Sequence, residues 1–191
     1  SKGGKSVLAD DEILSATVLP DYTAMAGLGK FNASDLRKQL TGKMASVSPF
    51  IGNYSNGFYA SASPKDLETM LQLLYLSFTS PRFDESDFNV LMDKLQSAYQ
   101  NMASNPMFQL QDTLTSTLYN HSPRREMLTY DNLSQIDFAK MQQIYDKLYR
   151  NADDFTYTIV GNVDLETLKP LVEKYIGSLP STKQGYSWED D

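Results

Sequence analysis

One histidine and no cysteine limit the chemistry this 191-residue chain can do. His121 stands in the polar loop Asn120-His121-Ser122-Pro123-Arg124-Arg125, with Ser122 beside it and Asp112 and Asp131 on either side. A serine, an imidazole and a carboxylate are the parts of a hydrolytic triad, in which the imidazole takes the serine proton and the carboxylate orients the imidazole. Nothing in the chain resembles the Gly-x-Ser-x-Gly elbow that exposes such a serine, so His121 reads as a solvated loop group. Arg124-Arg125-Glu126 could grip a peptide carboxylate or an acidic partner, against the plainer reading of local ion pairing at a surface. Asn151-Ala152-Asp153-Asp154 gathers oxygens of the kind calcium takes. It lacks the alternation and closing glutamate of an EF-hand loop and reads as a capped turn before a strand. The absence of cysteine removes disulfides, thiolate metal sites and a cysteine nucleophile.

The aromatic residues offer binding instead of bond-breaking. Among twelve tyrosines and nine phenylalanines, Tyr54, Phe58 and Tyr59 are the candidate substrate-binding residues, because they fall in a segment that reads as a strand. Alternate strand residues face opposite sides, so Phe58 and Tyr59 do not both enter a core. Tyrosines on an outer sheet face cover a neighbouring domain at least as readily as they touch a substrate. The eight methionines fall largely on helical apolar stripes, where they fill gaps and imply no cofactor box.

The elements that position these residues follow from spacing. Gly3 to Leu8 reads as a short strand, and Asp10 or Asp11 as the cap of a helix carrying Ile13, Leu14, Val18 and Leu19 before Pro20 disturbs the pattern. Gly27-Leu28-Gly29 breaks the chain, and Asn32 or Ser34 caps a short helix through Leu36 and Leu40. Met44 to Ile51 and Tyr54 to Ser63 form a hairpin, with Gly52-Asn53 suited to the positive backbone angles of a tight turn. Ser63-Pro64-Lys65-Asp66 opens a helix by hydroxyl cap, first-turn proline and acid, and Leu67, Met70, Leu71, Leu74 and Phe78 recur on one face of it. A long helix capped by Asp84 or Ser86, a helix over 107–119, and one capped by Asp137 follow. Then come a strand over 155–160 and a last helix capped by Asp164 and stopped by Gly177 and Pro180. Strands and helices in separate blocks favour an α+β fold, an antiparallel sheet packed on one face by several helices.

Composition bounds the rest. A chain of this length with 41% hydrophobic residues buries one core. A formal net charge of −7 argues against nucleic-acid partners. No stretch approaches the roughly 20 apolar residues of a membrane span. Residues 1–181 are expected to be a single domain lacking its first strand, and 182–191 a linker to a following domain.

Taken in order, several segments resemble the pitrilysin, or insulinase-like, zinc peptidases, above all the long bacterial members built from successive homologous domains. They are Gly3-Gly4 to Leu8, Ala26-Gly27-Leu28-Gly29, Leu40-Thr41-Gly42-Lys43, Ser61 to Leu74 and Phe78 to Phe83. Ile159-Val160-Gly161-Asn162 with Asp164 and Leu165, Lys169 to Val172, and Tyr175 to Pro180 complete the set. Active members carry an inverted His-x-x-Glu-His motif that places two imidazoles on one helix face for zinc, with its glutamate as general base. Here the corresponding helix, roughly 10–25, offers Asp10, Asp11, Glu12 and Asp21 but no nitrogen donor, and carboxylates alone suit harder cations. The family's arginine and tyrosine for the substrate carbonyl find no matching motif.

The resemblance therefore implies an α/β-roll domain with no catalytic residue, no metal ligand and no cofactor of its own. Zinc would reside in a homologous catalytic domain of the same protein, this domain being scaffold and wall of a chamber that admits unfolded peptide. A periplasmic or secreted setting comes with the bacterial members. The alternative is an assembly or peptide-binding subunit that keeps the fold with no catalytic partner. A self-sufficient metalloenzyme built on His121 and carboxylates is the remote third reading.

Overall fold

Ile13, Leu14, Ala16, Val18, Leu19, Tyr22 and Ala26 are spread around nearly every side of a helix, and a helix apolar all round belongs inside a protein. In the computed structural model of the chain, which describes residues 1–181, that helix is α1 (Ile13–Ala26), with all seven residues buried. Pro20 removes one helix donor without ending the helix, which runs on to Gly27 at φ 81°. Six more helices follow: α2 (Ala33–Gln39), α3 (Leu67–Thr79), α4 (Glu85–Ala103), α5 (Pro106–Leu118), α6 (Phe138–Tyr149) and α7 (Leu165–Tyr175).

Side-chain caps set most of the helix starts. Asn32, Asp84, Asn105, Asp137 and Asp164 each accept a hydrogen bond from a backbone N–H in the first turn, at 2.8 to 3.1 Å. The start of α3 is built differently from the hydroxyl cap expected of Ser63. A 3-10 turn over Pro64–Asp66 precedes the helix, and the Ser63 hydroxyl donates to Asp66 Oδ2 at 2.6 Å. The same carboxylate oxygen accepts from Met44 N–H at 2.9 Å, which ties the start of the helix to the start of the sheet.

The sheet is an antiparallel pair, β1 (Ala45–Ile51) and β2 (Asn56–Ala62), in register from Ala45 opposite Ala62 to Ile51 opposite Asn56. Its inner face packs on helices. Phe58 lies 5.0 Å from the Phe78 ring of α3 and 4.8 Å from the Tyr149 ring of α6. One buried cluster gathers α1 and α6 around Tyr22, Met141, Ile144 and Tyr149; a second holds Leu74, Phe78, Ala152 and Leu179; Phe58 and Phe155 touch both. This is the expected α+β arrangement, with the sheet covered on one face.

Further expected local features differ, and neither Asp10 nor Asp11 caps α1, which is preceded by a 3-10 turn over Asp10–Glu12. The strand expected over Gly3–Leu8 is a 3-10 turn over Gly4–Val7. Gly3 and Gly4 take φ of 130° and 61°, and Gly4 passes so close to the hairpin that a Cβ would lie 2.4 Å from Gly52 O. The hairpin turns over four residues instead of two, Gly52 N–H donating to Ser55 O at 2.7 Å, and neither Gly52 nor Asn53 needs a positive φ. Residues 155–160, expected as a strand, run between the turn at Ala152–Asp154 and α7 without pairing in a ladder. A strand needs a neighbour to bond, and a groove separates this segment from β2. The expected linker, 182–191, lies outside the described residues.

Candidate functional site

Hydrogen-bond alternation along β2 decides which backbone groups face that groove. In an antiparallel ladder, residues exchange bonds with one neighbour in alternate pairs, and the intervening residues point to the other edge. Ser63 N–H donates to Met44 O on the β1 side. Ser61, Tyr59 and Gly57 therefore bond toward β1, and Asn56, Phe58, Ala60 and Ala62 point away from it. Asn56 confirms the phase: its N–H donates to Ser1 O at 3.2 Å, and the Ser1 amine donates to Asn56 O at 2.8 Å.

The groove along this edge has a volume of about 620 Å³. Ala60 and Ala62 stand on one side, Thr156 to Val160 on the other, and Leu67, Met70 and Leu71 of α3 form the floor. Two titratable groups in or beside it are shifted from their ordinary values. Burial, with a smaller push from Asp153, raises the Tyr157 phenol to about 12. Hydrogen bonds from the Thr167 hydroxyl and then the Thr167 N–H hold the Asp164 carboxyl below the ordinary carboxylate value. Deeper in the core, burial raises Tyr145 and Tyr149, whose hydroxyls donate to Ser77 O and Phe50 O, each at 2.7 Å. A groove walled by a strand edge and lined by apolar and small polar residues suits an extended chain.

The three aromatic residues singled out from the sequence do not form one site. Phe58 enters the inner aromatic cluster and borders the groove. Tyr59 is 70% exposed on the outer face and stacks on Phe50 with ring centroids 4.5 Å apart. Tyr54 sits in the hairpin loop, 42% exposed. The groove itself went unread in the sequence, because backbone donors carry no residue signature; the small Ala60 and Ala62 were the available hint.

His121 borders one small hollow with Asp112 and Ser122, but its hydrogen-bond partner is Ser116. Its Nδ1 lies 2.6 Å from Ser116 Oγ in an exposed loop, where Asn120 and His121 take φ of 50° and 56°. Arg124 donates to Lys5 O at 2.6 Å and Leu8 O at 3.3 Å, fixing the N-terminal turn, and Arg125 lies over the Tyr119 ring at 5.0 Å. Among the described residues no group of three or more His, Cys, Asp or Glu side chains is placed to hold a metal ion, so the residues present do not fit zinc. No described helix is long and apolar enough to cross a membrane.

Comparison with known proteins gives the lineage. The family model of insulinase (peptidase family M16) matches residues 25–132, and that of the peptidase M16 inactive domain matches 135–190. The chain belongs to the insulinase family of peptidases. Among curated relatives, it is 27% identical over 120 residues to "Zinc protease PQQL-like" of Arabidopsis thaliana, covering 62% of this chain and 13% of that one. It is 24% identical over 163 residues to "Probable zinc protease PqqL" of Haemophilus influenzae, covering 83% and 17%. The chain thus spans less than a fifth of the length of these relatives. The solved structure of the periplasmic protease PqqL from Escherichia coli superposes with a TM-score of 0.78 at 18% identity, over 100% of this chain and 21% of that one, which establishes the shared fold. M16 relatives are named zinc proteases, while part of this chain matches a model of the family's inactive domain.

Proposed function

We propose that residues 1–181 are a non-catalytic domain of a multi-domain zinc metallopeptidase. They serve as scaffold and as part of the wall of a peptide-enclosing chamber, and 182–191 lead to a following domain. The observation that carries this reading is the coincidence of a family match that includes an inactive domain with a chain whose one histidine is engaged by Ser116. Zinc and the hydrolytic step belong to a homologous catalytic domain of the same protein, as a metalloendopeptidase of the zinc type. There a metal-bound water would attack the peptide carbonyl while this domain helps exclude solvent.

Contact with a neighbouring domain is supported by α5, where Met107, Leu110, Leu114 and Leu118 form a stripe exposed by 69, 51, 50 and 77%. A contiguous apolar stripe on a helix surface marks a face that another surface covers. Tyr54 and Tyr59, on the loop and outer face of the sheet, are the residues placed to touch unfolded peptide; Phe58 supports them from within. A periplasmic or secreted setting accords with the Escherichia coli relative of the same fold, a periplasmic protease. The test is peptidase activity of the full-length protein on an unstructured peptide. His121→Ala is expected to leave it unchanged, and substitution of an inverted zinc motif in another domain is expected to abolish it. Loss of activity in the His121 variant, with its fold intact, would refute the reading.

A further inference from the structure

The end of α1, the helix α2, the start of β1 and α3 enclose a second cavity, of about 450 Å³, which shares no residue with the groove along β2. That volume lies within the ~300–1,000 Å³ of small-molecule sites. Leu28, Leu36, Leu40, Val47 and Leu73 give it apolar walls. Its hydroxyls are turned to the backbone: those of Thr23, Thr41, Ser77 and Tyr145 donate to the carbonyls of Pro20, Arg37, Leu73 and Ser77 at 2.7 to 3.2 Å. A hydroxyl has a single hydrogen to donate, so none of these has a donor left for an occupant.

Arg82, in the same lining, does have donors to spare. Its Nη2 meets Asp84 Oδ2 at 2.6 Å and Asp87 Oδ2 at 3.6 Å, while Nη1 has no hydrogen-bond partner among the described residues. With both carboxylates beside it, the guanidinium offers N–H groups without surplus positive charge. An anionic head placed there would meet Asp84 and Asp87 across an apolar cavity, where like charges repel strongly. A neutral carbonyl or hydroxyl oxygen would accept from Nη1 and bring no charge. Arg37, the other cation of the lining, is exposed on the last turn of α2. We propose that this cavity binds a small, neutral, largely apolar molecule with an oxygen acceptor at one end, the acceptor at Arg82 and the apolar body against Leu36, Leu40 and Val47. The wall through which it enters is α2. No residue of that helix is buried, and Gly42 follows it at φ 77°, where a Cβ would meet nothing within 4 Å. Such an occupant gives Leu36 and Leu40 the apolar contact that one face of a short amphipathic helix needs.

The experiment is a calorimetric titration of the full-length protein at neutral pH with octanol and with octanoate, which share a chain length and differ in the charge of the head. Octanol is expected to bind, and octanoate at least about tenfold more weakly, because its charge must be buried beside two carboxylates. Ala33→Trp and Leu36→Trp fill the cavity from the exposed helix, and each is expected to weaken octanol binding by about tenfold or more while the thermal midpoint shows the fold retained. Arg82→Lys keeps the ion pair with Asp84 and gives up the second edge of the guanidinium, so octanol binding is expected to fall by about fivefold. Octanoate binding as tightly as octanol, or octanol binding that is unchanged in both tryptophan variants or in Arg82→Lys, would overturn the proposal. So would absence of octanol binding, since another part of the full protein would then occupy the cavity.

Discussion

Replacing Asn56 by alanine tests how the N-terminal segment, the hairpin and α6 are joined. The side chain is 1% exposed; its amide donates to Leu148 O at 2.7 Å and its oxygen accepts from Gly4 N–H at 3.3 Å. Leu148 O lies in the last turn of α6, and the N–H that would otherwise answer it, that of Ala152, donates to Pro180 O. Asn56→Ala therefore strands a buried carbonyl and a buried N–H, each costing about 1–3 kcal/mol. The Gly4 bond is long, so the total is about 2–4 kcal/mol, and the urea midpoint followed by circular dichroism should fall by roughly 1 M. Asn56→Asp separates the two bonds. It keeps an acceptor for Gly4 but sets a carboxylate oxygen against the Leu148 carbonyl, so its folded-state pKa must rise above the unfolded value. A raised carboxyl costs nothing below the unfolded pKa, about 3.9, and costs progressively more as pH rises through the folded one. Asn56→Asp should thus approach wild type near pH 3.5 and fall furthest behind at pH 7. A loss below about 0.5 kcal/mol in Asn56→Ala, or an Asp variant indifferent to pH, would refute the assignment of this side chain as the joint.

Phe78→Ala, which empties a site ringed by Phe58, Phe155 and Tyr157, is expected to cost about 3–5 kcal/mol in urea or thermal unfolding. Asp66 has its carboxyl held below the ordinary 3.8, first by the Ser63 hydroxyl and then by Met44 N–H. A lowered folded pKa gives stability that is present above the unfolded value and lost as pH falls through the folded one, so Asp66→Asn should flatten the acid limb below about pH 4 while changing little of its slope at neutral pH. Tyr59→Ala removes an exposed ring stacked on Phe50; unfolding should shift by no more than about 1.5 kcal/mol, while, on the proposed function, the Michaelis constant of the full-length protein for an unfolded peptide should rise.

Helix positions were legible because caps and apolar stripes are local. Asp84, Asp137 and Asp164 cap as their places before apolar periodic segments imply, and Leu67 to Phe78 bury the face that their spacing gathers. Pairing was less legible, being a property of neighbours. Residues 155–160 have β-branched and aromatic composition, yet pairing needs an adjacent edge, and the groove stands where it would be. Gly3-Gly4 could as well begin a strand as turn the chain, and the close approach of Gly52 and Ser55, distant in sequence, decides for the turn. The expectation of no zinc site rests on residue types: one histidine cannot supply two imidazole ligands. That Phe58 and Tyr59 face opposite sides followed from strand alternation, whereas which of them is inward, and the groove formed by backbone, surfaced only with the fold.

The most direct test of the non-catalytic assignment is a calorimetric zinc titration of this chain at neutral pH, run beside a peptidase assay on an unstructured peptide and repeated on the full-length protein. Heat of stoichiometric binding and cleavage are expected from the full-length protein, and neither from this chain. Stoichiometric zinc binding by this chain, with cleavage lost in His121→Ala, would contradict the account.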